Sequence, residues 1–234
     1  MSENYEAVLL AAGSSKRLNG GEGQNKILKT LNNRPVFDYS LRLFLEDDHC
    51  LTIWFVVNEQ EKETLIAALL TVYSTIPHKI QWVYGGEERQ DSVKNALDAM
   101  ENQDNRVLIH DAARPFITPD LIASLMDAVK ETEAVTLAIP ATDSMKMVKD
   151  TYVSASLYRP HVWHIQTPQV FSKKVIQEAM NKAVSENFYG NEEGELAERL
   201  GYKVKVVEGT RENMKITTPF DYEVAQVIAK KWFN

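Results

Sequence analysis

At 234 residues with 44% apolar side chains, the chain is long enough for one large α/β domain with a well-buried core, and a single unit over 1–234 is expected. A formal net charge of -7 argues against a nucleic-acid phosphate track or an anionic membrane surface as partner and leaves small molecules as the expected ligands. The single cysteine, Cys50, excludes an intrachain disulfide and a Cys-rich zinc site; with no apolar run of membrane-spanning length, a cytoplasmic protein is expected.

The apolar run 6–12 reads as a strand that ends in Ala11-Ala12-Gly13, with Ser14-Ser15-Lys16-Arg17 following. Small residues at a strand's end let a ligand approach the backbone, whose N–H groups cradle anions, and Arg17 and Lys26 neutralise phosphate charge. The competing reading of this segment alone is a plain turn with solvated basic residues. Only one glycine follows the strand, so the dinucleotide fingerprint is absent, and Lys26 is followed by Ile27 rather than Ser or Thr, which rules out a P-loop.

Further along, helical spacing over 35–45, 60–73, 90–100 and 119–130 alternates with strand-like runs at 51–57, 79–84, 106–110 and 134–140; Pro35 and Pro119 suit helix starts. This βαβ succession predicts a mostly parallel sheet with helices on both faces and ligands at the carboxyl ends of its strands. Two strand–helix junctions there carry chemistry. Gly85-Gly86-Glu87-Glu88-Arg89-Gln90-Asp91-Ser92 offers free backbone and the Ser92 hydroxyl to a base edge, or is an ordinary glycine turn with Asp91 or Ser92 assisting the helix start. In His110-Asp111-Ala112-Ala113-Arg114-Pro115, a carboxylate directly after a buried strand is costly unless paired or metal-bound. Asp111 therefore holds Mg²⁺, orients a substrate hydroxyl, or pairs locally with Arg114. His110, His161 and His164 are expected to be structural.

The rhythm breaks between 142 and 166. Partial alternation over 144–148 and 152–157 around Lys149-Asp150 predicts a β-hairpin projecting from the sheet, either an arm that packs on a second copy or a surface flap. Its base gathers Asp143, Ser144, Lys146 and Arg159, and Gln166-Thr167-Pro168-Gln169 reads as a rigid turn with hydroxyl and amide donors. Helices at 173–185 and 195–200, a strand at 203–207 and a helix at 219–231 complete the chain. Lys215 falls between that strand and the last helix, where, with Arg17 and Lys26, it would close a cationic ring around a triphosphate.

Taken together and in order, Ala-Ala-Gly at 11–13 with Arg17 and Lys26, Gly-Gly-x-x-Arg-x-x-Ser at 85–92, His-Asp-Ala-Ala-Arg-Pro at 110–115, Gln-Thr-Pro-Gln at 166–169 and Asn-x-Lys-Ile-Thr at 213–217 resemble the 2-C-methyl-D-erythritol 4-phosphate cytidylyltransferase family of the non-mevalonate isoprenoid pathway. The resemblance covers nearly the whole chain. It implies a Rossmann-like nucleotidyltransferase fold that moves a cytidylyl group from CTP to the sugar-alcohol phosphate, releasing pyrophosphate with Mg²⁺ present, and a homodimer that exchanges the arm at about 142–161. By matching motif positions, the backbone of Ala11, Ala12 and Gly13 would line the CTP site, with Gly86, Glu87 and Ser92 around cytosine. Arg17, Lys26 and Lys215 would be catalytic, binding phosphates and stabilising charge at the α-phosphorus. Asp111, Arg114, Ser144, Arg159 and Thr167 would hold the acceptor, with Ser144 and Arg159 reaching in on the arm of a second copy; Asp111 is also the candidate Mg²⁺ ligand.

Several positions depart from the family pattern. Glu87 stands where Asp is common, Ile27 where Gln is common and Ser144 where Thr is usual, while Asn191-Glu192-Glu193-Gly194-Glu195 replaces a Thr-Asp-Asp/Glu-Ala-Ser segment and reads as a solvated acidic helix start. Two other functions compete. A ribitol 5-phosphate cytidylyltransferase shares fold and CTP site, but Ala113 and Gln90-Asp91 favour the isoprenoid family; a non-catalytic nucleotide-binding module would have no need of Arg17, Lys26, Asp111 and Lys215 together.

Overall fold

Strands that are apolar on both faces need helices on both faces, and the computed structural model, which describes residues 4–13, 25–102 and 104–233, provides them. In chain order the elements are β1 (Tyr5–Leu10), β2 (Thr30–Leu31), β3 (Arg34–Pro35), α1 (Val36–Glu46), β4 (Cys50–Val57), α2 (Lys62–Leu70), β5 (Ile80–Tyr84), α3 (Arg89–Ala99), β6 (Arg106–Asp111), α4 (Pro119–Ala128), β7 (Ala134–Pro140), β8 (Lys146–Lys149), β9 (Tyr152–Ser156), β10 (Trp163–Ser172), α5 (Lys173–Ser185), α6 (Glu193–Arg199), β11 (Lys205–Glu208) and α7 (Pro219–Phe233). The main sheet has the order β11-β7-β10-β6-β1-β4-β5. Every neighbouring pair is parallel except those of β10, which runs antiparallel between β6 and β7.

Successive side chains of a strand point to opposite faces, and β1 divides its residues accordingly. Tyr5, Ala7 and Leu9 pack with Phe37, Leu41 and Phe44 of α1, Leu65 and Leu69 of α2 and Leu125 of α4. Val8 faces the other core, with Val93 and Leu97 of α3, Ile176 and Met180 of α5 and Leu196 of α6. Ile216 joins Val36, Phe116, Ala225 and Ala229 in a third cluster that fastens α7 to the body. Cys50 is buried, and burial pushes its thiol up to about 12. No described helix is long and apolar enough to cross a membrane.

The largest departure from the sequence reading is β10. Residues 166–169 are the middle of a strand rather than a turn. Proline argues against a central strand because it cannot donate to the ladder, yet here the register slips between Ile165 and Gln169, and pairing to β6 runs from Gln169 onward, so Pro168 sits in the gap. The Thr167–Pro168 peptide bond is cis. The β2–β3 ribbon also went unread; Asn32 and Asn33 both take positive φ, as a two-residue hairpin turn requires.

The hairpin is present as β8–β9, with its turn at Asp150 and Thr151, one residue later than the pattern suggested. All residues of both strands are exposed. Its base is tied by Ala141 N to Val162 O at 2.9 Å and Leu157 N to Met145 O at 3.2 Å, and Arg159 Nη1 donates to Thr142 O at 3.3 Å.

Candidate active site

Parallel strands extended by one residue bring their following loops side by side. Ala11 N donates to Val56 O at 2.8 Å, Gly85 N to Val57 O at 2.9 Å and Ala112 N to Leu10 O at 3.0 Å, so the loops after β1, β5 and β6 share one edge of the sheet. Gly85 is forced there: a Cβ would stand 2.6 Å from Ala12 Cβ and 2.9 Å from Ser92 Oγ. Gly86 N donates to Ser92 Oγ at 3.1 Å, and Ser92 in turn donates to Glu88 O at 3.2 Å. A reciprocal capping box between Glu88 and Asp91 starts α3. Ser92 is thus buried and holds the loop, while Gly86 and Glu87 are exposed on it.

Beside this loop, Ala11 is buried, Ala12 half-buried and Gly13 exposed with open space where a Cβ would lie. The Asn25 amide donates to Ala11 O at 3.3 Å and to Glu61 Oε2 at 2.8 Å, and its carbonyl caps the short 3-10 turn Lys26–Leu28 by accepting from Ile27 N at 3.3 Å. Lys26 is therefore half-buried next to the first loop. Arg17 lies outside the described residues.

Asp111, the last residue of β6, collects cations. Arg89 Nε stands 3.2 Å from its Oδ1, Lys215 Nζ 2.8 Å from its Oδ2, and Arg114 Nε 3.9 Å from Oδ2. Burial pushes the carboxyl upward, but Arg89, Lys215 and Arg114 outweigh it and hold Asp111 well below the usual carboxylate range. The Asp111–Arg114 pair that the sequence offered is only its longest contact. Arg114 is fixed instead by donating from Nη1 to Asn213 O at 2.9 Å, and the Lys215 loop is fastened by Ile216 N to Ala113 O at 2.9 Å.

Thr167 is 5% exposed and spends its hydroxyl inside the protein. His110 Nε2 lies 3.1 Å from the Arg114 carbonyl, which can only accept, so the proton is on Nε2. Nδ1 must then accept from the Thr167 hydroxyl at 3.1 Å, and Thr167 Oγ1 accepts from Asp111 N at 3.1 Å. This chain orients Asp111 from behind. Burial drives the pKa of His110 down to about 4, so the ring is neutral at neutral pH, as the tautomer requires. His110 is structural, as the sequence suggested, but it supports the site directly.

Two residues of the cluster were not singled out from sequence. Arg89 belongs to the Gly-Gly-x-x-Arg-x-x-Ser motif, which by itself gives it no role, and Glu193, whose Oε1 is 2.6 Å from Arg89 Nη1, to the acidic segment whose plain reading is a solvated helix start. Glu193 is 1% exposed, which corrects that reading. Its neighbour Glu192 does cap α6, accepting from Gly194 N at 2.8 Å and Glu195 N at 2.9 Å. Spacing does not reveal a pair that bridges 104 residues; the only signal was the run of acids itself. Ser144 and Arg159 are exposed on the hairpin's base and touch none of this cluster.

Known proteins share this sequence and fold over nearly the whole chain. The family described as IspD, 2-C-methyl-D-erythritol 4-phosphate cytidylyltransferase, matches residues 5–231. A protein of that name from Halalkalibacterium halodurans is 40% identical over 224 residues, 96% of each chain. Another from Caldanaerobacter subterraneus is 38% identical over 97% of this chain and 100% of its own. The solved 4-diphosphocytidyl-2C-methyl-D-erythritol synthase of Anaerococcus prevotii superposes with a TM-score of 0.84 at 29% identity, covering 98% of this chain and 100% of that one. The Francisella tularensis cytidylyltransferase gives 0.80 at 28% identity, over 96% and 99%. With its βαβ order, its glycine loop against Ala12 and its buried aspartate among three cations, the chain belongs to the 2-C-methyl-D-erythritol 4-phosphate cytidylyltransferase family.

Proposed function

We propose that the chain transfers the cytidylyl group of CTP to the phosphate of 2-C-methyl-D-erythritol 4-phosphate, forming 4-diphosphocytidyl-2-C-methyl-D-erythritol and pyrophosphate. The observation that carries this is Asp111, held ionised at the carboxyl edge of the sheet beside the loops after β1 and β5. A phosphate oxygen of the acceptor attacks the α-phosphorus in line; the new O–P bond forms as the bond to the bridging oxygen breaks, and pyrophosphate leaves with that electron pair. No protein nucleophile is needed, so catalysis rests on positioning and charge stabilisation.

Lys26, Lys215 and Arg17 serve the phosphates. Lys215 already donates to Asp111 but has three N–H donors, so one ammonium spans the acceptor-side carboxylate and a phosphate. The backbone of Ala11, Ala12 and Gly13 and the exposed Gly86 and Glu87 face the nucleotide, with Ser92 keeping their loop in shape. Asp111 accepts from an acceptor hydroxyl, and Arg114, whose buried Nε makes no hydrogen bond among the described residues and stands 3.9 Å from Asp111 Oδ2, adds positive charge beside it. Thr167 acts through Asp111 rather than on the substrate.

Mg²⁺, which the family resemblance implies, would be held by the phosphates of CTP more than by protein carboxylates. Both oxygens of Asp111 are engaged by cations, and among the described residues no three His, Cys, Asp or Glu cluster as a metal site.

The chain folds as one unit and works as a homodimer through the β8–β9 arm, whose exposed Met147, Val148, Tyr152 and Val153 would be covered by a second copy that also receives Ser144 and Arg159. The test is pyrophosphate release from CTP across an acceptor panel. Release with 2-C-methyl-D-erythritol 4-phosphate and not with ribitol 5-phosphate is expected; background rates with the former overturn the proposal.

A further inference from the structure

Arg89 is shared between two buried carboxylates on different elements. Its Nε contacts Asp111 Oδ1 at 3.2 Å from the end of β6, and its Nη1 contacts Glu193 Oε1 at 2.6 Å from the first turn of α6. A planar guanidinium held at two of its nitrogens has no rotational freedom left. The Glu193 side chain is 2% exposed and that of Arg89 30%, so the partner on α6 is sealed while the arginine lies at the rim of the site.

Burying a carboxylate is costly even when paired, and Glu193 Oε2 has no hydrogen-bond partner among the described residues. Nothing in the packing of α6 demands this acid. The helix start is already fixed by Glu192 and by Gly194 N donating to Gln169 Oε1 at 3.3 Å on β10. The α3 start is tied to the segment before α6 by Gln90 Nε2 to Phe188 O and Gly190 N to Gln90 Oε1, both at 2.9 Å. Glu193 therefore meets Arg89 on a rigid frame, and the one thing it adds is a charge that claims a guanidinium nitrogen.

We infer that Glu193 is a positioning residue for the acceptor: by holding Arg89 it fixes Asp111 and keeps an arginine at the rim from turning to the phosphates. This rests on the proposed function and deepens it, assigning to α6 the affinity for the sugar alcohol and not for CTP. The hydrogen bonds that shape the nucleotide loop, among Gly86, Ser92, Glu88 and Asp91, do not include Glu193.

The experiment is a two-substrate kinetic comparison of the full-length wild type, Glu193→Gln and Glu193→Asp. Glu193→Gln is expected to raise the acceptor KM about 10-fold while CTP KM stays within about 2-fold, and Glu193→Asp, which keeps the charge a methylene short, is expected to lie between. An equal rise in both constants, or no rise in either, overturns the inference. If Glu193→Gln does not fold, the same split in Glu193→Asp supports it and its absence overturns it. A wild type without acceptor-dependent pyrophosphate release fails the proposed function itself; an active wild type whose variants show no split fails this inference alone.

Discussion

The carboxyl edge of the sheet and the β8–β9 arm invert each other's chemistry. At the edge, polar groups are buried and paired: His110 is 0% exposed, Thr167 5% and Asp111 6%, each with named partners. On the arm, apolar groups are bare: Val148 is 60% exposed, Val153 62% and Tyr152 78%. Buried polar groups are tolerated only when satisfied, and clustered exposed apolar groups mark a surface awaiting a partner. The edge is organised by the chain's own contacts, whereas the arm leaves bare the apolar groups that the proposed dimer would cover.

That contrast can be tested where it should be sharpest. Lys215→Ala and Lys26→Ala each remove one preorganised cation, and turnover should fall about 10²-fold or more in a pyrophosphate-release assay. Near wild-type rates in both would mean the edge does not carry the chemistry.

The next effect is on stability and belongs to the edge alone. His110 titrates near 4 in the folded chain and near 6.5 when unfolded, so below pH 6.5 the unfolded state takes the proton first. Stability is unaffected above that pH and falls by about 3 kcal/mol as pH drops from 6.5 to 4. Asp111 behaves differently: its carboxylate is depressed, so its contribution persists to the ordinary carboxylate range and is lost only below it. Denaturant melts at pH 7 and 4.5 should show the first loss, and His110→Asn should flatten it.

For the arm the expected pattern is opposite. Val148→Asp combined with Val153→Asp should leave the secondary structure of the chain intact by circular dichroism, because both side chains are exposed on the hairpin and pack on nothing in the core. Sedimentation should shift from dimer to monomer, and activity should fall with it. A variant that stays dimeric, or a fully active monomer, would place the arm outside the working enzyme.

The sequence carried the sheet and its helices well because periodicity is a local signal: β7 and α5 match the runs at 134–140 and 173–185 residue for residue. It also singled out Asp111 and Arg114 by the motif that ends β6, and Lys215 and Thr167 by motifs farther along, and the structure gathers the other three around Asp111. It lost β10, since a Gln-Thr-Pro-Gln stretch looks like a turn until a slipped register is seen to accommodate the proline. It lost Arg89 with Glu193 because what matters there is a meeting of α3, β6 and α6, and no spacing along the chain encodes that. The hairpin was legible, but its bare surface was not, since alternation says which side chains share a face and not whether anything covers it.

The antiparallel seat of β10 has a consequence for synthesis. β6 and β7 do not pair with each other; each waits for β10, which follows the whole arm in the chain. During translation the two edges that β10 fills stay open until residue 172 has left the ribosome, and non-local pairing of this kind is slow and prone to wrong partners. The length of the arm thus sets how long a half-built sheet must be protected, a cost borne by the nascent chain rather than by the finished enzyme.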